Sequence, residues 1–88
     1  MRWRAQNGFG SSIMSPETVV ANTFGKDANA IDDSTSPNTL PEWDSLGHVT
    51  LVIELESTYG VSFGAEETMA LTSVGAIKAA LREHGVSW

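Results

Sequence analysis

The segment from Pro41 to Gly60, PEWDSLGHVTLVIELESTYG, contains a long and mostly apolar run. On a helical wheel, the apolar side chains between Ser45 and Tyr59 cover an arc of roughly 220°. The β-branched residues in VTLVI also suit a strand, but the run is longer than a typical strand and contains no turn signal. We therefore predict a helix from Ser45 to Tyr59 that ends at Gly60.

The apolar arc of this helix is wider than contact with two neighbouring helices requires. Part of the arc could face a ligand or a partner protein, because exposed apolar patches often mark interaction sites. The alternative is a central helix whose apolar side chains all pack against surrounding helices. The helical wheel alone leaves both interpretations open.

On the amino-terminal side, Ser15-Pro16-Glu17 predicts the start of a first helix, and Gly25 predicts its end. The segment from Lys26 to Trp43 is rich in Asp, Asn, Ser, Thr and Pro, which is typical of a loop. Three apolar residues are expected to hold this loop against the core: Ile31, Leu40 and Trp43.

On the carboxyl-terminal side, Ala65 to Ala70 is predicted to form a short third helix. Thr72 or Ser73 then caps a last helix that runs to His84. These elements predict an all-α fold, a small four-helix bundle with three main helices, a short third helix and a long loop between helices 1 and 2. We expect that loop and the short helix to be the most mobile parts.

The predicted domain covers residues 15–85, between tails at 1–14 and 86–88. The chain has no cysteine, which excludes disulfides, thiol catalysis and thiolate metal ligands. No apolar run is long enough to span a bilayer, and the start MRWRAQNGFGSS lacks the apolar core of a signal peptide. We therefore expect a monomeric cytoplasmic protein that does not bind membranes.

The charge of the chain is negative and unevenly distributed. The net charge is −6, and from Glu17 onward eleven acidic residues stand against three basic ones, a net charge of −8. Such a surface repels the phosphates of nucleic acids, so nucleic-acid binding is not expected. Basic protein partners fit this charge, although acidity can also serve only to keep a small protein soluble.

Ser45 stands at the predicted start of the second helix, where three roles are possible. It could cap the helix, although Asp44 competes for that position. With His48 one turn further on, it could act as a nucleophile, but no third residue is evident to orient the imidazole. Its hydroxyl could also carry a phosphodiester, because the backbone N–H groups and the dipole of a helix start favour phosphate.

The chain resembles the acyl carrier proteins of fatty-acid and polyketide biosynthesis from about residue 15 to residue 85. The resemblance begins with the motif D-S-L at Asp44-Ser45-Leu46, at the helix start. The motif is followed by family residues at the expected spacing: Leu51, Leu55, Glu56, Tyr59, Gly60, Thr72, Ser73 and Val74.

The resemblance implies a four-helix carrier with no catalytic residues and no metal ligands of its own. Ser45 would receive 4′-phosphopantetheine from coenzyme A through a separate phosphopantetheinyl transferase and magnesium. Asp44 would help to position the metal and the transferase, and Leu46 would contact the transferase. The arm would carry acyl groups as thioesters to an acyl-activating ligase, an acyltransferase or a synthase.

The same resemblance places cargo and partner contacts on the second and third helices. The candidate residues are Val49, Ile53, Glu54, Glu56 and Met69. Ordinary core packing is the alternative for the three apolar ones. Gly47, Thr50, Ser57 and Thr58 stand where carriers of the fatty-acid type often have acids, so the acidic recognition face is thinner here.

Gly47 would cost about 0.5–1 kcal/mol relative to alanine inside a helix. We interpret it as a sign that a partner or the arm approaches the helix closely. The competing functional hypothesis is a carrier-shaped helical module that binds proteins and is never modified.

Overall fold

The computed structural model describes residues 14–88, and all regular structure within this range is helical. The helices are α1 (Pro16–Phe24), α2 (Ser45–Tyr59), α3 (Ala65–Ala70) and α4 (Val74–Glu83), with one 3₁₀ turn at Ala28–Ala30. The predicted all-helical fold is confirmed for the described residues, and α2 and α3 have the predicted bounds. Of the predicted tail at residues 1–14, only Met14 lies within the described part of the chain.

Short polar side chains begin three of the helices, as the sequence predicts. Ser15 Oγ accepts a hydrogen bond from the Thr18 N–H at 3.3 Å, and Ser73 Oγ accepts one from the Ala76 N–H at 3.1 Å. Asp44 does the same for α2, as described below. Gly60 ends α2 with φ +67°, a left-handed conformation that glycine adopts without strain.

A single core joins α1, α2, α4 and the long loop. Its fully or almost fully buried apolar side chains are Val19, Val20, Ala21, Ile31, Leu40, Trp43, Leu51, Val52, Leu55, Phe63, Leu71, Val74, Ile77 and Leu81. The three loop residues predicted to contact the core are among them. No residue of α3 is buried, so this helix lies on the outside of the core.

The long loop is bonded to the start of α4. The backbone carbonyl of Thr35 accepts from the Val74 N–H at 2.9 Å, and the carbonyl of Asp33 accepts from the Gly75 N–H at 3.0 Å. These two N–H groups lie in the first turn of α4, where no carbonyl of the helix itself is available to them. The loop therefore contributes to the α4 amino-terminal cap.

Lys78 connects three segments that are distant in sequence. Its Nζ lies 2.5 Å from Glu17 Oε2 in α1 and 2.6 Å from Asp33 Oδ1 in the loop. The hydrogen bonds to Asp33 and to Glu17 raise the pKa of Lys78. The ion pairs of Lys78 therefore join α4 to α1 and to the loop.

The last three residues, predicted to be a tail, fold back towards α4. The Val86 N–H donates to the Leu81 carbonyl at 2.9 Å, and the guanidinium of Arg82 lies 4.9 Å from the centre of the Trp88 ring. In residues 14–88, no helix has both the length and the apolar content needed to cross a membrane.

Candidate functional site

Ser45 is the first residue of α2, and its side chain is exposed. The cap of this helix is its neighbour Asp44, whose Oδ1 accepts a hydrogen bond from the Gly47 N–H at 2.8 Å. The interpretation of Ser45 as the capping residue is therefore wrong. Its hydroxyl lies on the surface at the positive end of a fifteen-residue helix.

An open cleft of about 620 Å³ lies beside Ser45. Its walls come from the end of the long loop, the start of α2 and the connection between α3 and α4. The lining residues are Pro37, Pro41, Trp43, Asp44, Ser45, His48, Leu71 and Thr72. The cleft thus combines apolar walls with a few polar groups, as ligand sites in proteins usually do.

A hydrogen-bonded chain that we name the Trp43–His48–Thr68 bridge forms part of this cleft. Trp43 Nε1 donates to His48 Nδ1 at 2.9 Å, and His48 Nε2 lies 2.8 Å from the carbonyl oxygen of Thr68. Because the indole N–H can only donate and the carbonyl can only accept, these two bonds fit the His48 tautomer with its hydrogen on Nε2. The bridge connects the end of the loop, α2 and α3.

The same bridge bears on the possible role of His48 as a base for Ser45. Both ring nitrogens of His48 are hydrogen bonded to other groups, one to Trp43 and one to Thr68. A general base needs a free nitrogen within hydrogen-bond reach of the hydroxyl it activates. This arrangement therefore disfavours a nucleophilic role for Ser45 with His48 as its base.

Gly47 is required by the chain's own loop. A Cβ atom at this position would lie 2.3 Å from the backbone oxygen of Glu42 and 2.9 Å from Cε1 of Phe24. The loop backbone therefore passes so close to the first turn of α2 that no larger residue fits without a shift. This contact explains the glycine without the partner or the arm that the sequence suggested.

The apolar arc of α2 is divided between core and surface. Leu51, Val52 and Leu55 are buried, whereas Leu46 is 76% exposed, Val49 55% and Ile53 57%. Spacings of three and four residues place the exposed three on one stripe of the helix. Met69 of α3 is also exposed, at 78%, and follows Thr68 of the bridge.

We call Leu46, Val49, Ile53 and Met69 the exposed apolar surface. Core packing, the alternative considered for Val49, Ile53 and Met69, is wrong because none of the three is buried. One half of the apolar arc of α2 therefore packs in the core, and the other half is exposed and available for contact with other molecules.

The two acidic candidates occupy different environments. Glu54 is exposed on α2. Glu56 is half-buried, and its Oε2 accepts a hydrogen bond from the Phe63 N–H at 2.8 Å. The Glu56 side chain therefore holds the end of α2 against the segment before α3. Glu54 is solvent-exposed and follows Ile53 of the exposed apolar surface in sequence.

Sequence reasoning missed the bridge. The sequence predicted that Trp43 anchors the loop and offered His48 as a possible base for Ser45, and neither prediction joins the two side chains. The available signal was a tryptophan and a histidine five residues apart across a loop-to-helix boundary. The acceptor on α3, twenty residues after His48, has no signal in the sequence because it is a backbone carbonyl.

Comparison of the chain with models of known protein families and with curated proteins found no match.

Proposed function

We propose that this chain is a carrier protein of the acyl carrier type, modified on Ser45 by 4′-phosphopantetheine. The observation that supports this function best is the exposed Ser45 hydroxyl at the start of α2. Its neighbour Asp44 performs the capping, so the hydroxyl has no assigned structural task. The D-S-L motif and its downstream pattern, described above, point to the same residue.

The residues around Ser45 fit a phosphate-linked arm. The hydroxyl is accessible to another enzyme, and the helix start offers a favourable electrostatic environment for a phosphodiester. The cleft of about 620 Å³ lies next to the attachment point. When attached, the arm supplies a thiol that holds an acyl group as a thioester.

Attachment requires coenzyme A and a separate phosphopantetheinyl transferase. A bond forms between Ser45 Oγ and the phosphorus that bears the pantetheine, and the bond from that phosphorus to the adenosine bisphosphate breaks. The serine proton passes to a base of the transferase, and adenosine bisphosphate leaves. Asp44 and Leu46 flank the serine, and both are exposed for contact with that enzyme and its magnesium ion.

The exposed apolar surface would provide contacts for the enzymes that load and unload the arm. Leu46, Val49 and Ile53 extend along α2 away from Ser45, and the exposed Glu54 directly follows Ile53 in sequence. Apolar side chains beside a carboxylate suit partners that present an apolar patch with a basic rim. The chain itself contributes attachment, orientation and recognition, and its partners contribute catalysis.

A second candidate is an unmodified helical module that binds other proteins through the same surface. The exposed leucine, valine, isoleucine and methionine side chains support this alternative equally well. The two functions differ only in the fate of the Ser45 hydroxyl.

The test is incubation of the purified chain with coenzyme A, magnesium and a broad-specificity phosphopantetheinyl transferase. We expect intact mass spectrometry to show addition of one phosphopantetheine to the wild-type chain and to Ser57→Ala, an exposed serine of the same helix. Ser45→Ala should gain none. An unmodified wild-type chain, or a Ser45→Ala variant that is still modified, would contradict the proposal and favour the unmodified module.

A further inference from the structure

We infer that the Trp43–His48–Thr68 bridge restricts the cargo to short acyl groups that stay in the surface cleft beside Ser45. This inference rests on the proposed function, because it concerns what the arm on Ser45 carries. It assigns to Trp43 and His48 a role in specificity that neither the motif nor the helix pattern indicates.

The Trp43–His48–Thr68 bridge borders the cleft. Trp43 and His48 both line the cleft, together with Leu71. Trp43 and Leu71 are also core residues, each only 1% exposed. These side chains therefore form the inner wall of the cleft and separate it from the interior of the helical fold.

The inner wall belongs to the packed core. The side chains of Leu51, Leu55, Ile77 and Leu81 are completely buried and pack in one cluster with Trp43. Protein interiors are packed at close to crystal density, so a guest chain enters only where side chains or helices move apart. A long acyl group would have to displace the inner wall first.

Hydrogen bonds and ring contacts oppose displacement of this wall. Separating α3 from α2 breaks the 2.8 Å hydrogen bond between His48 and Thr68, and moving Trp43 breaks its 2.9 Å hydrogen bond to His48. The indole N–H would then be buried without an acceptor, which is unfavourable. Trp43 also stacks on His48 and on Phe24, with ring centres 6.2 and 6.1 Å apart, so all three rings would have to move together.

A short acyl group avoids these losses because it can lie against the apolar cleft walls beside its attachment point. A long acyl group on the same arm would expose most of its methylenes to water. The carrier is therefore suited to small building units and poorly suited to long hydrocarbon chains.

The test uses the acyl-coenzyme A series acetyl, butanoyl, hexanoyl and octanoyl, transferred to Ser45 by the same transferase. Mass spectrometry verifies loading, and the melting temperature of each loaded protein reports whether the acyl chain is buried. We expect the melting temperature of the wild-type chain to be the same across the series. In His48→Ala it should rise with chain length, by up to about 3–6 °C for each methylene that enters the interior.

Two further variants complete the design. Ser57→Ala, an exposed residue of α2, should behave like the wild type. Trp43→Phe keeps an aromatic ring but removes the N–H donor, so its melting temperature should rise with chain length less steeply than that of His48→Ala. Trp43→Phe also provides the comparison if His48→Ala does not fold.

The outcomes separate the two proposals. If mass spectrometry shows no arm on Ser45, the proposed function fails and no melting series can be measured. If the arm is attached but the wild-type melting temperature rises with chain length, the restriction to short cargo is wrong while the carrier function stands. If the melting temperature depends on chain length in neither the wild type nor a folded bridge variant, the bridge is not the structure that keeps acyl chains out of the interior.

Discussion

Asp44 and Ser45 are adjacent in sequence, but only Asp44 caps α2. The Asp44 carboxylate accepts the Gly47 N–H and so occupies the position that a capping serine would otherwise take. This arrangement leaves the Ser45 hydroxyl exposed on a well-defined helix start. A rigid element presents a modification site more reproducibly than a loop does, because the backbone around it is held by the helix hydrogen bonds.

Gly47 gives a direct test of the packing beside this site. Gly47→Ala should destabilise the fold by about 1–3 kcal/mol, because the new methyl group overlaps the backbone oxygen of Glu42. Alanine has the higher helix propensity, so propensity alone predicts the opposite sign. Urea unfolding followed by circular dichroism measures the difference.

The matched control for this substitution is Gly64→Ala at the start of α3. A Cβ atom there would have its nearest contact at 3.8 Å, to Glu67 Oε1, so the added methyl group meets no steric conflict. We expect the free energy of unfolding to change much less for Gly64→Ala than for Gly47→Ala. Equal effects at the two glycines would argue against the close approach of the loop to α2.

At the scale of elements, the long loop and α3 differ in how they are held. The loop buries Ile31, Leu40 and Trp43 and caps α4 through two backbone carbonyls. By contrast, α3 is only six residues long and buries none of them. Its polar links to other elements include the His48–Thr68 bond of the bridge and the 2.7 Å contact between Glu67 and His84.

Amide hydrogen exchange should show that the loop is held more firmly than α3. The Val74 and Gly75 amides, bonded to the loop, should exchange about tenfold or more slowly than the amides of α3. The sequence analysis predicted that both the loop and α3 are the most mobile parts, whereas these contacts favour α3 as the more mobile of the two. The measurement is amide exchange by NMR at neutral pH. Exchange of Val74 and Gly75 as fast as that of α3 would show that the loop does not hold the start of α4.

At the scale of the whole molecule, two polar contacts link distant segments and respond to alkaline pH. The Tyr59 hydroxyl donates to the Met14 carbonyl at 2.5 Å, and burial followed by the nearby Glu17 charge raises the pKa of Tyr59 to about 12. Lys78 also has a raised pKa, caused by Asp33 and Glu17. The Tyr59 hydrogen bond holds the end of α2 near the start of α1. The ion pairs of Lys78 hold α4 against α1 and the loop.

The raised pKa of Tyr59 and the raised pKa of Lys78 have the same consequence for stability. Above the ordinary pKa of tyrosine, 10.0, the unfolded chain loses protons that the folded chain retains. Tyr59 and Lys78 should therefore contribute their full stabilisation below about pH 10, and this contribution should fall as the pH rises towards 12. Tyr59→Phe should be less stable at neutral pH and should decline less steeply in the alkaline range.

The measurement for this prediction is urea unfolding at a series of pH values between neutral and alkaline. Lys78→Met serves as the companion variant, since it removes the second alkaline group and leaves Tyr59 in place. A Tyr59→Phe variant with the same alkaline decline as the wild type would show that Tyr59 does not contribute to it.

The sequence alone determined the helix order and nearly all helix bounds. Capping residues such as Ser15 and Ser73, the terminating Gly25 and Gly60, and apolar spacing act within a few residues of one another, so a local pattern carries them. The loop residues that enter the core were also predictable, because they are isolated apolar residues in a polar segment. The D-S-L motif likewise singled out Ser45 as the candidate modification site.

Only the tertiary structure decided what the site around Ser45 looks like. It selected Asp44 over Ser45 as the cap, divided the apolar arc of α2 into buried and exposed halves, and brought His48 to the Thr68 carbonyl. It also showed that the chain's own loop requires Gly47. The choice of cap is a contact between residues three apart, which the local pattern left open between Asp44 and Ser45. The division of the apolar arc and the His48–Thr68 bond depend on segments brought together by packing, and a pattern read along one segment contains no information about its neighbours in space.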